Sequence, residues 1–251
     1  MKKLHVPVAA LSLLCAAIVA TPASAASART WVSGVGVDAA PCARAAPCAT
    51  FQFAHDQTNP SGYVNCADSG DYGPLIINKS ITIKCVGVVA AISSPSAATA
   101  IQINAGATDI VVIDGLEIDG GGVASAGIVV NSGAKVFVSN SAIRRFQNGL
   151  VNQSATAGGH VFIEGSKIIG NATGVQGAGP TITSLTNTSV LYCSSASVRT
   201  ISATTIIGVQ TSVLNDSPVG IFNPGGGQVI SVGPSNLVTG AGAFTATIPF
   251  L

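Results

Sequence analysis

The chain has 251 residues, of which only 8% are charged and 29 are glycine, with a net charge of +1. Near-neutral charge excludes electrostatic attraction to nucleic acid or to an anionic membrane surface. High hydrophobicity with few charges is the opposite of a disordered composition, and small, β-branched and turn-forming residues suit short strands joined by tight turns.

The first 25 residues read as a leader rather than as part of the fold. Lys2 and Lys3 are followed by an apolar run, Leu4 to Ala20, and Thr21-Pro22-Ala23-Ser24-Ala25 supplies a small-residue cleavage site. The run is about 17 residues and falls short of a span of roughly 20. Leu14 stands before Cys15 where a lipobox needs a small residue, so lipidation is not expected. Cleavage after Ala25 exports the chain to the periplasm or beyond. Without Lys2 and Lys3 the 11 basic residues fall to nine, against ten acidic ones. No later run is long and apolar enough for a membrane span, and a soluble monomer is expected.

The segment 26–60 comes next. Cys48 to Thr58 lacks strand alternation; Phe51, Phe53 and Ala54 form one helical face with Thr50 as N-cap. The first coil of a solenoid exposes its core, so this helix reads as its cap. Five cysteines follow the leader, in an oxidising compartment. Cys42–Cys48 and Cys66–Cys85 are the expected disulfides because each pair is local in sequence. Cys193 is left over and reads as a small buried hydrophobe on a strand. The cysteines do not form paired C-x-x-C knuckles and His is scarce, so no metal or cofactor is expected.

The segment 61–251 is repetitive. Ile110 to Ile118, Lys135 to Ile143 and His160 to Ile168 superimpose without a gap at a step of 25 residues. Val111, Val136 and Val161 share one column, Ile113, Val138 and Ile163 a second, and Ile118, Ile143 and Ile168 a third. These columns are apolar and point inward. The columns between vary and point outward, because strands alternate faces. The phase switches between 113 and 118, so Gly115, Asn140 and Gly165 mark a bend. Weaker copies run upstream through Tyr63–Cys66 and Leu75–Ile83, and downstream to Val238. The spacing drifts between Val190 and Ile206. Stacked at about 4.8 Å, such units bury one continuous core. The expected fold is an all-β, right-handed parallel β-helix of about seven coils, with Leu237 to Leu251 closing its far end and Pro249 discouraging further strand pairing there.

Arg29-Thr30-Trp31-Val32-Ser33-Gly34 through Pro41-Cys42 and Pro47-Cys48-x-Thr50-Phe51, then Asp71-Tyr72-Gly73-Pro74 and Ile77 to Ile83, resembles a group of exported bacterial β-helix proteins in the pectin-lyase-like superfamily, whose members are mostly of unassigned activity. The resemblance implies the same fold over the whole exported chain. It also raises polysaccharide cleavage. Pectate lyases of that superfamily hold calcium with clustered carboxylates and use Arg or Lys as base. Polygalacturonase-type hydrolases use several Asp with Gly-His-Gly and Arg-x-Lys segments. Here Gly158-Gly159-His160 and Arg144-Arg145 match neither, and no Asp-Asp pair exists.

One carboxylate column remains, Asp114 and Glu164 with Ser139 between. Two coil steps are about 9.6 Å, near the 6.5–9.5 Å of an inverting glycosidase; solvated outer charges are the plainer explanation. Asp119 and Arg144 read as a surface ion pair. A second outward column holds Val112, Phe137 and Phe162, beside Lys135 and His160. Either a loop or terminal segment covers these rings, or they form a face for a sugar or another chain. The sequence therefore points to a non-catalytic β-helix protein that binds polysaccharide or cell-envelope glycan, with Lys135, Phe137, His160, Phe162, Asp114 and Glu164 as candidate ligand face and no catalytic residues assigned. The alternative is a lyase or glycoside hydrolase of the superfamily.

Overall fold

The computed structural model describes residues 26–249 except Pro95, Ala97 and Ala157; the leader 1–25 lies outside the described residues. One turn of the chain runs through strand Ile110–Asp114, bends into Leu116–Asp119, and continues after a loop into Ala126–Ser132. The next turn starts at Lys135, directly over Ile110. All strand pairings are parallel, in sheets of ten, eight and seven strands. The described residues form an all-β parallel solenoid of about seven turns, with one short helix among them.

The register follows the repeat. Ile113, Val138 and Ile163 stack, continue to Leu185 and Val209, and are all buried. Ile118, Ile143 and Ile168 stack in the eight-stranded sheet, followed by Val190 and Leu214. The seven-stranded sheet supplies the third wall with Ile101, Ile128, Leu150, Val175 and Val198. Each such side chain contributes about 1.5–3 kcal/mol when buried, and only stacking buries it. The drift near Val190 is confined to the corners: Ile182 still pairs with Ile206 and Val190 with Leu214.

The first bend explains the phase switch. Gly115, Asn140, Gly165, Asn187 and Thr211 all have left-handed backbone, with φ of +83°, +48°, +58°, +48° and +48°. The residue after each turns inward. There Ser141, Ser166, Thr188 and Ser212 are buried. The Ser141 amide donates to Ser166 Oγ at 3.2 Å and the Thr188 amide to Ser212 Oγ at 3.1 Å. These hydroxyls satisfy amides that the corner takes out of the ladder. At the second bend Asn171, Cys193 and Ser217 play the same part. Cys193 is buried as expected, but in this corner and not on a strand. Burial pushes its thiol pKa up, which disfavours the reactive thiolate. The third sheet opens on stacked Gly127, Gly149 and Gly174. A Cβ on Gly149 would lie 2.6 Å from the Gly174 carbonyl oxygen, so only glycine allows that coil spacing.

The ends are closed differently. At the N-terminus the helix spans Phe51–Gln57, and Thr50 Oγ1 accepts from the Phe53 amide at 3.2 Å. Phe51 and Tyr72 are fully buried and meet edge to face, ring centroids 4.9 Å apart. Strand Ser27–Val32 begins the ten-stranded sheet. Its outer edge is occupied by the disulfide loop, the Cys48 amide donating to the Trp31 carbonyl at 2.9 Å. Both expected disulfides, Cys42–Cys48 and Cys66–Cys85, are present, in agreement with an extracellular or periplasmic protein. At the C-terminus Phe244 packs against the core and strand Ala246–Ile248 adds to the ten-stranded sheet. Pairing thus runs right up to Pro249.

Candidate ligand-binding face

The outer surface of the ten-stranded sheet carries every candidate residue. Its central column reads, coil by coil, Arg29, Tyr63, Thr82, Val112, Phe137, Phe162, Ser184, Gly208 and Ile230. Lys135 and His160 occupy the column on one side. Asp114, Ser139 and Glu164 occupy the column on the other. The structure therefore brings all six candidate residues to one face.

The aromatic residues form a stack. Phe137 and Phe162 lie 4.8 Å apart and 9° from parallel; His160 lies 3.8 Å from Phe162 at 25°. The rings are half-buried by one another and by their neighbours, and each keeps part of its surface in solvent. Stacking has a consequence for binding. Sugars pack on ring faces, and the faces inside the stack are already occupied. Solvent meets ring edges, and on its side away from Phe162 the Phe137 ring has Val112 as its neighbour in the column. His160 Nε2 is 2.8 Å from Ser184 Oγ. Burial, and then the Lys135 ammonium one coil away, push the His160 pKa below that of an ordinary imidazole, so the ring is neutral at neutral pH.

The two carboxylates stand in different settings. Asp114 is half-buried; it accepts from Asn140 Nδ2 at 2.8 Å and Ser139 Oγ at 3.3 Å, and Lys84 Nζ lies 3.7 Å away. Asp114 is thus engaged by its neighbours and is not a simple solvated charge. Glu164 is exposed. Ser139 stands between the two, and Asp114 points its oxygens at Asn140 and Lys84. Among the described residues, no group of three or more His, Cys, Asp or Glu side chains is arranged to hold a metal ion, and no helix is long and apolar enough to cross a membrane.

Sequence reasoning missed the upstream part of this face. Tyr63 is 41% exposed, with Arg29 Cζ 5.3 Å from its ring centroid. A shallow cleft of about 380 Å³ opens beside it, lined by Ser61, Ser80, Thr82, Thr108, Ile110 and Val112. The signal was the alternation in Tyr63–Cys66, which places Tyr63 outward once Val64 is assigned to the core.

The adjoining eight-stranded sheet carries the expected Asp119–Arg144 pair, enlarged into a network. Arg144 Nε donates to Asp119 Oδ2 at 2.9 Å, Arg145 Nε to Oδ1 at 2.8 Å, and Arg144 also meets Glu117 at 3.2 Å. Burial alone would raise the Asp119 pKa. Hydrogen bonds from Arg145, the Gly121 amide and Arg144 outweigh it and hold the group at about 2. A depressed folded-state pKa stabilises the fold above the unfolded value, and that increment is lost as pH falls through the folded one. The Asp119 contribution should therefore be complete above about pH 4 and disappear between there and about pH 2. Melting temperatures across this range should fall less steeply in Asp119→Asn than in the parent; identical slopes would show that the network carries no linkage.

The fold and this face define a parallel β-solenoid with a pectin-lyase-like fold. The structure is similar to the crystal structure of pectate lyase Pel9A, with a TM-score of 0.50 and 12% identity over 87% of this chain and 79% of that one. At that identity the likeness concerns the fold alone. No family model matches the chain, and no curated protein matches it in sequence.

Proposed function

We propose that this is an exported, non-catalytic binding protein that holds polysaccharide or cell-envelope glycan along the outer face of its ten-stranded sheet. The observation that supports it is the makeup of that face. A column of Tyr63, Val112, Phe137 and Phe162, interrupted by Thr82 and followed by Ser184, is flanked by Lys135 and His160 on one side and by Asp114, Ser139, Glu164 and Thr186 on the other. Glycans pair apolar C–H faces with hydroxyls in the same way, and aromatic side chains answer the first while polar ones answer the second. Asp114 is engaged by Ser139, Asn140 and Lys84, which favours holding a chain over cleaving it.

A glycan-array screen on the chain lacking residues 1–25 tests this. Unsaturated-product absorbance and reducing-sugar release would be followed on the same polysaccharides. Binding without cleavage, weakened in a Phe137→Ala/Phe162→Ala double variant, is the expected result. Cleavage that survives that variant and is lost in Asp114→Ala or Glu164→Ala would replace this reading with an enzyme of the superfamily.

A further inference from the structure

The capping helix Phe51–Gln57 turns three side chains into the molecule, and one of them is ionisable. Phe51, Ala54 and His55 are buried, and His55 has 0% of its surface in solvent. Its Nδ1 lies 2.8 Å from Asp56 Oδ1. A carboxylate only accepts, so Nδ1 carries the ring proton and Nε2 is a bare lone pair. Nε2 is buried and has no hydrogen-bond partner among the described residues. A second ring proton there would be a buried donor without an acceptor, on a buried cation.

The charges around the ring give that proton little support. Lys79 lies between strands Leu75–Ile77 and Ile81–Lys84, and its Nζ donates to the Thr58 carbonyl at the helix C-cap, at 2.7 Å. Its ammonium opposes a cation on His55. Asp56 favours one, but its side chain is 54% exposed, so water screens it. The strands packed on the helix add no other charge. Leu75–Ile77 has no ionisable residue, and Arg29 and Tyr63, on Ser27–Val32 and Thr58–Cys66, meet each other on the outer face. Tyr72, which meets Phe51, donates to Asp68, and Asp38 accepts from the Ala49 and Thr50 amides at the helix N-terminus. Burial is the largest influence on the His55 pKa and lowers it. The Asp56 hydrogen bond raises it, Lys79 lowers it again, and the result is below an ordinary imidazole.

We propose that His55 is an acid-sensitive catch on the N-terminal cap: protonation of its ring releases helix Phe51–Gln57 from the first coil and opens the core at that end. The helix is docked by Phe51 and Ala54, by the Thr58 hydroxyl donating to the Ala54 carbonyl at 2.6 Å, and by the Ile76 amide donating to Gln52 Oε1 at 2.8 Å. Such a short element opens locally, without the rest of the solenoid. Strand Thr58–Cys66 follows the helix directly and carries Tyr63, so the opening reaches the upstream end of the outer face. With the folded-state pKa below the unfolded one, the cap is at full stability above about pH 6.5 and loses stability as pH falls from there through the folded-state value. Asp119, held at about 2, titrates well below this range.

Hydrogen exchange read by mass spectrometry, on the chain lacking residues 1–25, tests the catch between about pH 7.5 and about pH 5.5. That chain keeps two histidines, His55 and His160. Exchange in Phe51–Gln57, corrected for the intrinsic effect of pH, should speed up by as much as about tenfold per pH unit below about 6.5. Strand Gln228–Val232, at the far end, should not respond. Emission from Trp31, the single tryptophan, should shift over the same range, because its carbonyl accepts from the Cys48 amide beside the cap. His55→Asn keeps a donor for Asp56 but takes up no proton, and should abolish the response. Lys79→Gln keeps a donor for Thr58 but removes the opposing charge, and should shrink it. Melting curves at about pH 7.5 establish that both variants fold; if His55→Asn does not, Lys79→Gln decides. Exchange in the parent helix that ignores pH, or a response unchanged by either substitution, would overturn the catch. A response that survives His55→Asn and vanishes in His160→Gln would move the titration to the outer face and overturn it as well.

Discussion

Ile163→Ala should lower the free energy of unfolding by about 2–5 kcal/mol, among the largest effects available to a single truncation in this chain. Ile163 is 1% exposed and sits between Val138 and Leu185 in the inward column. Removing its branch leaves a void that neighbouring coils cannot close, because their separation is set by the hydrogen-bonded ladder. Phe162→Ala, at the preceding residue, removes more atoms yet should cost about 0.5–1.5 kcal/mol for the stacking, beyond the partial burial it also loses. Phe162 faces outward and its ring is shared between Phe137, His160 and water. Urea midpoints of the two variants check this directly. A Phe162 variant less stable than the Ile163 variant would mean that the rings are part of the core and that the face is not available to a ligand.

The second large effect is expected from reduction. Cys66–Cys85 closes a loop of 19 residues and Cys42–Cys48 one of six. Chain-entropy arguments give about 3 and about 2 kcal/mol respectively. Both bridges lie at the N-terminal end, where they hold the elements that cover the first coil. In a solenoid each coil is stabilised by its neighbours, so loosening the cap exposes the core from that end. Calorimetry with and without a reductant should show a lower melting temperature under reduction. Cys66→Ala/Cys85→Ala should reproduce the larger share of the shift and Cys42→Ala/Cys48→Ala the smaller. An unchanged melting temperature on complete reduction would show that the cap is held by packing alone, through Phe51 and Tyr72.

Much of the architecture was legible because the determinants are local and repeat. The 25-residue step aligned Val111, Val136 and Val161 without structural help, and period-two alternation placed Phe137 and Phe162 on the outside; the register has both. The helix at Phe51–Gln57 announced itself by its N-cap and by the absence of alternation. The disulfides were legible from their proximity in sequence. Less visible were the buried hydroxyls Ser141, Ser166, Thr188 and Ser212. In the sequence they are ordinary polar residues; only the left-handed corner before each of them turns the side chain inward and gives it an amide to accept from.

The face shows the same division more sharply. Which side chains point outward follows from alternation, a property of the chain itself. What those side chains can do depends on distances across coils, which the sequence does not contain. Phe137 and Phe162 read either as rings under a loop or terminal segment or as a face for a ligand, and the structure closes the faces between them by stacking. Asp114 looked solvated, and Asn140 and Lys84 converge on it from neighbouring coils. Tyr63 stood in the weakest of the repeats, and the cleft beside it is assembled from residues of three successive turns. Periodicity is written along the chain and can be read there. Contacts between turns are made between residues some 20–30 positions apart, across a spacing that exists only when the ladder has formed.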